Sequence, residues 1–210
     1  MEYTIPILVA LITAVLGPTV VEWIKIKFTS KPKKTPIQEA VELNELVDIQ
    51  LDFIMDGLEC DKIWIAQFHN GGHFYPTGKS IQKFSFFYEK ISPNALSTQH
   101  IFQNIPVSLF PKVLGKIYND GELAITSYDG ENEKYGLEMF STEHGCKSFY
   151  ALGLYSLDDH LIGIMGITFT AQEYKLTKDN WIFLRQKVGV IGTLLTDYLK
   201  TKNKLNSSEY

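Results

Sequence analysis

Apolar positions in this chain repeat with two different periods, and the changes of period mark its elements. Residues 3–21 show no repeat at all, only 19 consecutive positions without a charge. As a helix that run is about 28 Å long, close to the ~30 Å hydrocarbon core of a bilayer. Further on, Ile37, Ala40, Asn44, Val47, Leu51, Ile54 and Leu58 fall three and four apart. That is the spacing of one helix face, with Asn44 at a seam position. Val41, Leu43, Leu46, Phe53 and Met55 widen the face. Residues 62–68 then read as a strand closed by the turn signal Asn70-Gly71-Gly72, and 81–89 as a second, with Phe84, Phe86 and Tyr88 alternating.

The pattern loosens in the middle of the chain. Residues 106–118 predict a helix broken or offset by Pro111 and ended by Asn119-Asp120-Gly121, and 122–127 a short strand. Residues 129–143 are polar and turn-rich, so a loop or short helix is expected. Two apolar strands, 148–157 and 161–170, flank Asp158-Asp159-His160 as a hairpin. Thr177 caps a last helix on Trp181, Leu184, Val188, Ile191, Leu195 and Tyr198, with Gly189 and Gly192 allowing close approach.

Strands without regular βαβ alternation favour an α+β fold. We expect a central antiparallel sheet of five to six strands covered by the N- and C-terminal helices. One N-terminal transmembrane helix precedes it. The expected organisation is an anchor at 1–24, a basic linker at 25–36, one domain at 37–200 and a flexible tail at 201–210. Pro32 and Pro36 stand in the linker.

Charge placement orients the anchor. No Lys or Arg precedes the uncharged run, whereas Lys25, Lys27, Lys31, Lys33 and Lys34 follow it. The positive-inside rule then puts the domain on the cytoplasmic side of the inner membrane, as a single-pass protein with the bilayer as a partner. These lysines either contact anionic headgroups or act as a stop-transfer flank. A secretory signal would begin with a basic region, and Glu2 stands there instead.

Composition narrows the function. A formal charge of -4 gives no basic surplus for nucleic acid, and Arg185 is the single arginine. Two cysteines, Cys60 and Cys146, are too few for a disulfide framework and lack zinc spacing.

Late in the chain, Gly145-Cys146-Lys147-Ser148-Phe149-Tyr150-Ala151-Leu152-Gly153-Leu154 resembles a characteristic strand of the GAF domain, with Gly153 where proline is usual. Residues 157–167 resemble that family's turn and return strand, in which Gly163 lets two backbones approach. The resemblance spans residues 37–200 and rests on packing motifs. It implies a small-molecule sensing fold similar to PAS. The signature of cyclic-nucleotide-binding GAF domains is absent, and neither cysteine has the context of a bilin attachment site. No kinase, cyclase, phosphodiesterase or DNA-binding segment stands in these residues. A signal is therefore expected to leave through the membrane, dimerisation or a separate partner.

The segment from Phe68 to Ser80 concentrates the candidate chemistry. It reads as a loop with the histidines His69 and His73, the amide of Asn70, the ring of Tyr75 and the cation Lys79, a composition that suits a ligand rim. Together with Phe68, Phe84, Phe86 and Tyr150 these are the candidate ligand contacts. Gly78-Lys79-Ser80 ends like a phosphate loop, but His73 occupies the place of its first glycine. His69 and His73 could meet His144 or His100 around a metal, yet a loop fixes no such geometry, and we assign no metal, cofactor or catalytic residue. Cys146 beside His144 raises a thiol-dependent reductase, known in one GAF branch, although a cysteine entering an apolar strand is more often inert core.

The leading expectation is a membrane-anchored sensory or regulatory module, not an enzyme, binding a small ligand or a protein. It would dimerise through the helices at 37–58 and 181–198. An alternative is a lysis or membrane-remodelling protein, because T-even phage holins also carry one N-terminal span before a compact domain.

Overall fold

The computed structural model describes residues 34–93, 95–128, 135–137 and 143–206, with side chains to residue 198. The uncharged run at 3–21 and Lys25, Lys27, Lys31 and Lys33 lie outside these residues, and Lys34 is exposed. Among the described residues no helix is long and apolar enough to cross a membrane. The chain groups into two units, Met1–Glu39 and Ala40–Tyr210.

Helix α1 (Pro36–Leu58) begins with a reciprocal cap. Thr35 Oγ1 accepts from the Gln38 amide at 3.3 Å, while Gln38 Oε1 accepts from the Thr35 amide at 2.9 Å, satisfying two donors that a helix start leaves open. Within the second unit, α1 buries Leu43, Val47, Leu51, Ile54 and Leu58. The second half of the predicted seam holds. In the first half the buried row passes through Leu43, and Asn44 is exposed.

Six strands follow: β1 (Lys62–His73), β2 (Ser80–Ile91), β3 (Ile105–Pro106), β4 (Glu122–Ile125), β5 (Ser148–Tyr155) and β6 (Leu161–Phe169). Their spatial order is β3-β2-β1-β6-β5-β4, and every pairing is antiparallel. Helix α2 (Pro111–Asp120) connects β3 to β4 after a single 3-10 turn, Val107–Leu109. Pro111 starts this helix instead of breaking one, because a first-turn residue needs no N–H partner. Gly121, at φ 80°, closes it by donating its N–H to Ile117 O.

Helix α3 (Lys178–Asn206) is capped by Thr177 as expected. Its Oγ1 accepts from the Asn180 amide at 3.2 Å, and Asn180 Oδ1 accepts from the Thr177 amide at 2.9 Å. No Gly or Pro stops the helix at residue 200, so it runs six residues into the segment expected to be a flexible tail.

The expectation of an antiparallel sheet under the terminal helices is met, since α1 and α3 cover one face. Their core joins Val47, Leu51, Ile54, Leu184, Ile191 and Leu195 to the inward residues of β1, β5 and β6. A second core lies on the other face under α2, through Val113 and Ile117. Glycines at two close approaches, one between β6 and β1 and one between α3 and β5, let the backbones meet. A Cβ on Gly163 would stand 2.3 Å from Ala66 O, and one on Gly192 would stand 2.4 Å from Tyr155 O. Gly189, by contrast, has nothing within 4 Å, so the close approach expected there is absent.

The main departure is the β1–β2 hairpin. Asn70-Gly71-Gly72 does not turn the chain. It forms a register shift inside β1, with Gly72 at φ 107°, and the strand continues to His73. The reversal comes at residues 74–79, where the Phe74 amide donates to Lys79 O and the Gly78 amide to Phe74 O, both at 2.8 Å. The expected loop is thus a strand arm with a tight tip. Of the turn-rich stretch at 129–143, residues 129–134 and 138–142 lie outside the described residues.

Candidate functional site

The α2 face is a floor of rings. Trp64 of β1 stacks on Phe86 of β2 at 4.1 Å between centroids, and Phe86 stacks on Phe102 at 4.7 Å. Phe149 of β5 extends the row at 6.1 Å and a 19° tilt. Gly166 of β6, paired with Trp64, leaves the gap the indole occupies, since a Cβ there would stand 2.1 Å from the ring. These rings nearly fill the space under α2. The cavity between them and Val113, Leu114 and Ile117 measures about 40 Å³. Its apolar lining offers water no partner, and small-molecule sites typically need ~300 Å³ or more.

One end of this face is polar and buried. Lys62, 4% exposed, donates to Thr98 Oγ1 at 3.4 Å. Thr98 in turn donates its hydroxyl to Glu89 at 2.7 Å and its amide at 2.9 Å, and the Gln99 amide adds a bond at 3.1 Å. Burial alone would raise the Glu89 carboxyl, but these donors and Ser97 outweigh it and hold it below the usual range. Burial likewise pushes the Lys62 amine down, against the pull of Glu89.

The opposite face has an open cleft. Its volume is about 550 Å³, and its walls come from α1, α3 and the β1, β2 and β6 strands. Leu43, Leu161, Ile162 and Leu195 supply apolar surface, and Asn44, Gln67, His69, Tyr88 and Tyr198 supply polar groups. The Tyr88 hydroxyl donates to Asn44 Oδ1 at 2.9 Å, spanning β2 to α1. His69 Nε2 and Ser85 Oγ share a hydrogen bond of 2.9 Å.

The candidate ligand contacts divide among separate places. Phe84 and Phe86 line the aromatic cavity, and Phe68 packs half-buried against the same cluster while bordering the cleft. His69 lines the cleft. Asn70, His73, Tyr75 and Lys79 are exposed along the hairpin arm, Tyr75 almost completely at 98%. Tyr150 sits in the core under α1 and α3, accepting from the Leu176 amide at 3.3 Å and donating to Tyr174 O. Sequence reasoning missed Gln67 as a site residue and took Asn44, Leu195 and Tyr198 only as helix-seam positions. The alternation of β1 was the signal for Gln67, because it puts Gln67 and His69 on one face.

Among the described residues no group of three or more His, Cys, Asp or Glu is placed to hold a metal ion. Burial pushes the Cys60 thiol up to about 12 and the Cys146 thiol up to about 11. Both stay protonated near neutral pH, and they belong to different cores.

No family model matches the sequence, and no curated protein matches it. Solved structures do. The chain is similar to the PixJ GAF domain of Thermosynechococcus elongatus in its blue-light-absorbing form, with a TM-score of 0.61 at 12% identity, covering 80% of this chain and 94% of that one. It is similar to a GAF domain region assigned to a membrane protein of Geobacter sulfurreducens PCA, with a TM-score of 0.56 at 11% identity over 76% and 96%. It is also similar to a domain assigned to a two-component sensor histidine kinase of Sinorhizobium meliloti 1021, with a TM-score of 0.52 at 13% identity over 80% and 97%. The fold is GAF-like, as the hairpin motifs implied.

Proposed function

We propose that this chain is a membrane-anchored, GAF-like sensory or regulatory module whose domain faces the cytoplasm. It binds a small molecule or a protein rather than performing chemistry. The observation that carries the reading is the GAF-like fold with an open cleft between its terminal helices and its sheet. The two neighbours assigned to a sensor kinase and to a membrane protein support it. The anchor is the uncharged run at 3–21, and its direction comes from the lysines behind it. Thiols kept neutral by burial are poor nucleophiles, which weighs against a reductase.

Dimerisation is part of the proposal. The outer sides of α1 and α3 expose Val41, Leu46, Ile49, Phe53, Ile182 and Val190, an apolar surface that a second copy would cover.

A reporter fused after Tyr210 and native mass spectrometry of the full chain test the reading. We expect cytoplasmic reporter activity and a dimer carrying a co-purified small molecule or protein. A reporter active only outside the cytoplasm would reverse the orientation. A ligand-free monomer that stays so with cell extract would remove the sensory reading.

A further inference from the structure

We infer that the cleft between α1, α3 and the sheet binds an uncharged, flat and largely apolar small molecule with a hydrogen-bonding edge. This rests on the sensory reading above and gives that reading a place and a ligand class.

Size comes first. At about 550 Å³ the cleft lies within the range of small-molecule sites, whereas the ring-filled cavity under α2 does not. Charge comes second. Among the described residues no Lys, Arg, Asp or Glu lines the cleft, so an ionic ligand would lose hydration and meet no counter-charge from them. An uncharged molecule has no such penalty.

The polar groups define the edge of that molecule. Asn44 spends its side-chain oxygen on Tyr88 and keeps its amide N–H groups for another acceptor. Gln67 contributes a whole side-chain amide and Tyr198 a hydroxyl, so the lining holds both donors and acceptors. Flatness follows from Phe87. Its ring is 51% exposed beside the cleft and meets His69 edge-on at 6.4 Å. An aromatic ligand covering this ring gains both buried area and stacking.

Position gives the site a consequence. Lower on the same two helices, Gln50 accepts from Lys187 at 3.0 Å, and Gly57 abuts the Phe183 ring. The cleft, by contrast, is lined by Asn44 of α1 and Leu195 and Tyr198 of α3. A ligand held there sets the spacing of the helix pair at that end, which is a change other parts of a sensor can read.

The test uses the full chain in lipid nanodiscs titrated with 1-aminoanthracene, a neutral flat probe, and with its charged counterpart 1-anthracenecarboxylate. Asn44→Trp and Leu161→Trp each fill the cleft from opposite walls, and Leu114→Trp fills the aromatic cavity instead. Melting by circular dichroism confirms that each variant folds, and two blocking variants guard against the loss of one. We expect saturable binding of the neutral probe, weakened at least ~10-fold by either blocking variant and less than ~2-fold by Leu114→Trp. The carboxylate should bind at least ~10-fold more weakly. Loss of binding in Leu114→Trp alone would move the site under α2, overturning the inference and leaving the sensory reading intact. Equal binding of the carboxylate would overturn the ligand class, and no saturable binding in the wild-type chain would overturn the site.

Discussion

The two faces of the sheet are built from the same strands yet differ in what they leave open. Under α2, rings from β1, β2 and β5 lie nearly parallel, and Gly166 opens the position that lets them continue across β6. The result is a packed face with about 40 Å³ to spare. Under α1 and α3 the core is closed near Ile54 and Leu184, but it opens toward Leu43 and Leu195 into about 550 Å³. A fold therefore does not fix which face receives a ligand. The residues that fill or spare each face do.

The ring floor should be the more costly face to disturb. Trp64→Ala deletes the ring that links Phe86 to Phe149, and chemical denaturation should show a loss of about 3–5 kcal/mol. Gly163→Ala comes next, at about 3 kcal/mol, because its Cβ meets the Ala66 carbonyl, which cannot step aside as a side chain can. A loss below ~1 kcal/mol would mean that the β1 and β6 backbones stand farther apart at Gly163.

The polar end of the ring face predicts a pH dependence. A Glu89 carboxyl held below its ordinary range contributes stability above the unfolded-state pKa of glutamate and loses it as pH falls through the folded value. Glu89→Gln should cost about 1–2 kcal/mol at neutral pH and flatten the acid limb of the stability profile. A variant whose acid limb matches wild type would contradict the role given to Ser97, Thr98 and Gln99.

The helix face should respond weakly. Asn44→Ala removes one bond to Tyr88 at the cleft, and about 0.5–1 kcal/mol is expected from thermal melts. Gly189→Ala should stabilise by about 0.5–1 kcal/mol, since an exposed mid-helix glycine with open space around it loses only backbone freedom. If Gly189→Ala destabilises, a second copy of the chain packing on that surface becomes the simplest explanation.

Much of this architecture was legible in the residues. The β5–β6 hairpin was readable because two apolar runs bracket Asp158-Asp159-His160, and Asp159 takes the turn's φ of 58°. The terminal helices declared themselves by spacing and by Thr177. The β1–β2 arm did not, because a glycine pair among polar residues looks the same whether it turns a chain or bulges a strand. The stretch from Ser92 to Asn104 was equally opaque. Its order comes from distant partners, Glu89 holding Thr98 and Gln99 while Ser85 Oγ accepts from the Asn104 amide at 2.8 Å. Candidate site residues were chosen by composition, which finds aromatics and histidines but not the face each one lands on. Cavity volume was beyond reach, since it depends on how rings lean.

A crystal structure of the domain soaked with 1-aminoanthracene tests the contrast between the faces most directly. Density for the probe between Asn44, Gln67 and Tyr198, with Trp64 and Phe86 still stacked, is the predicted result. Density beneath α2, with the Trp64 ring swung aside to admit it, would contradict the account.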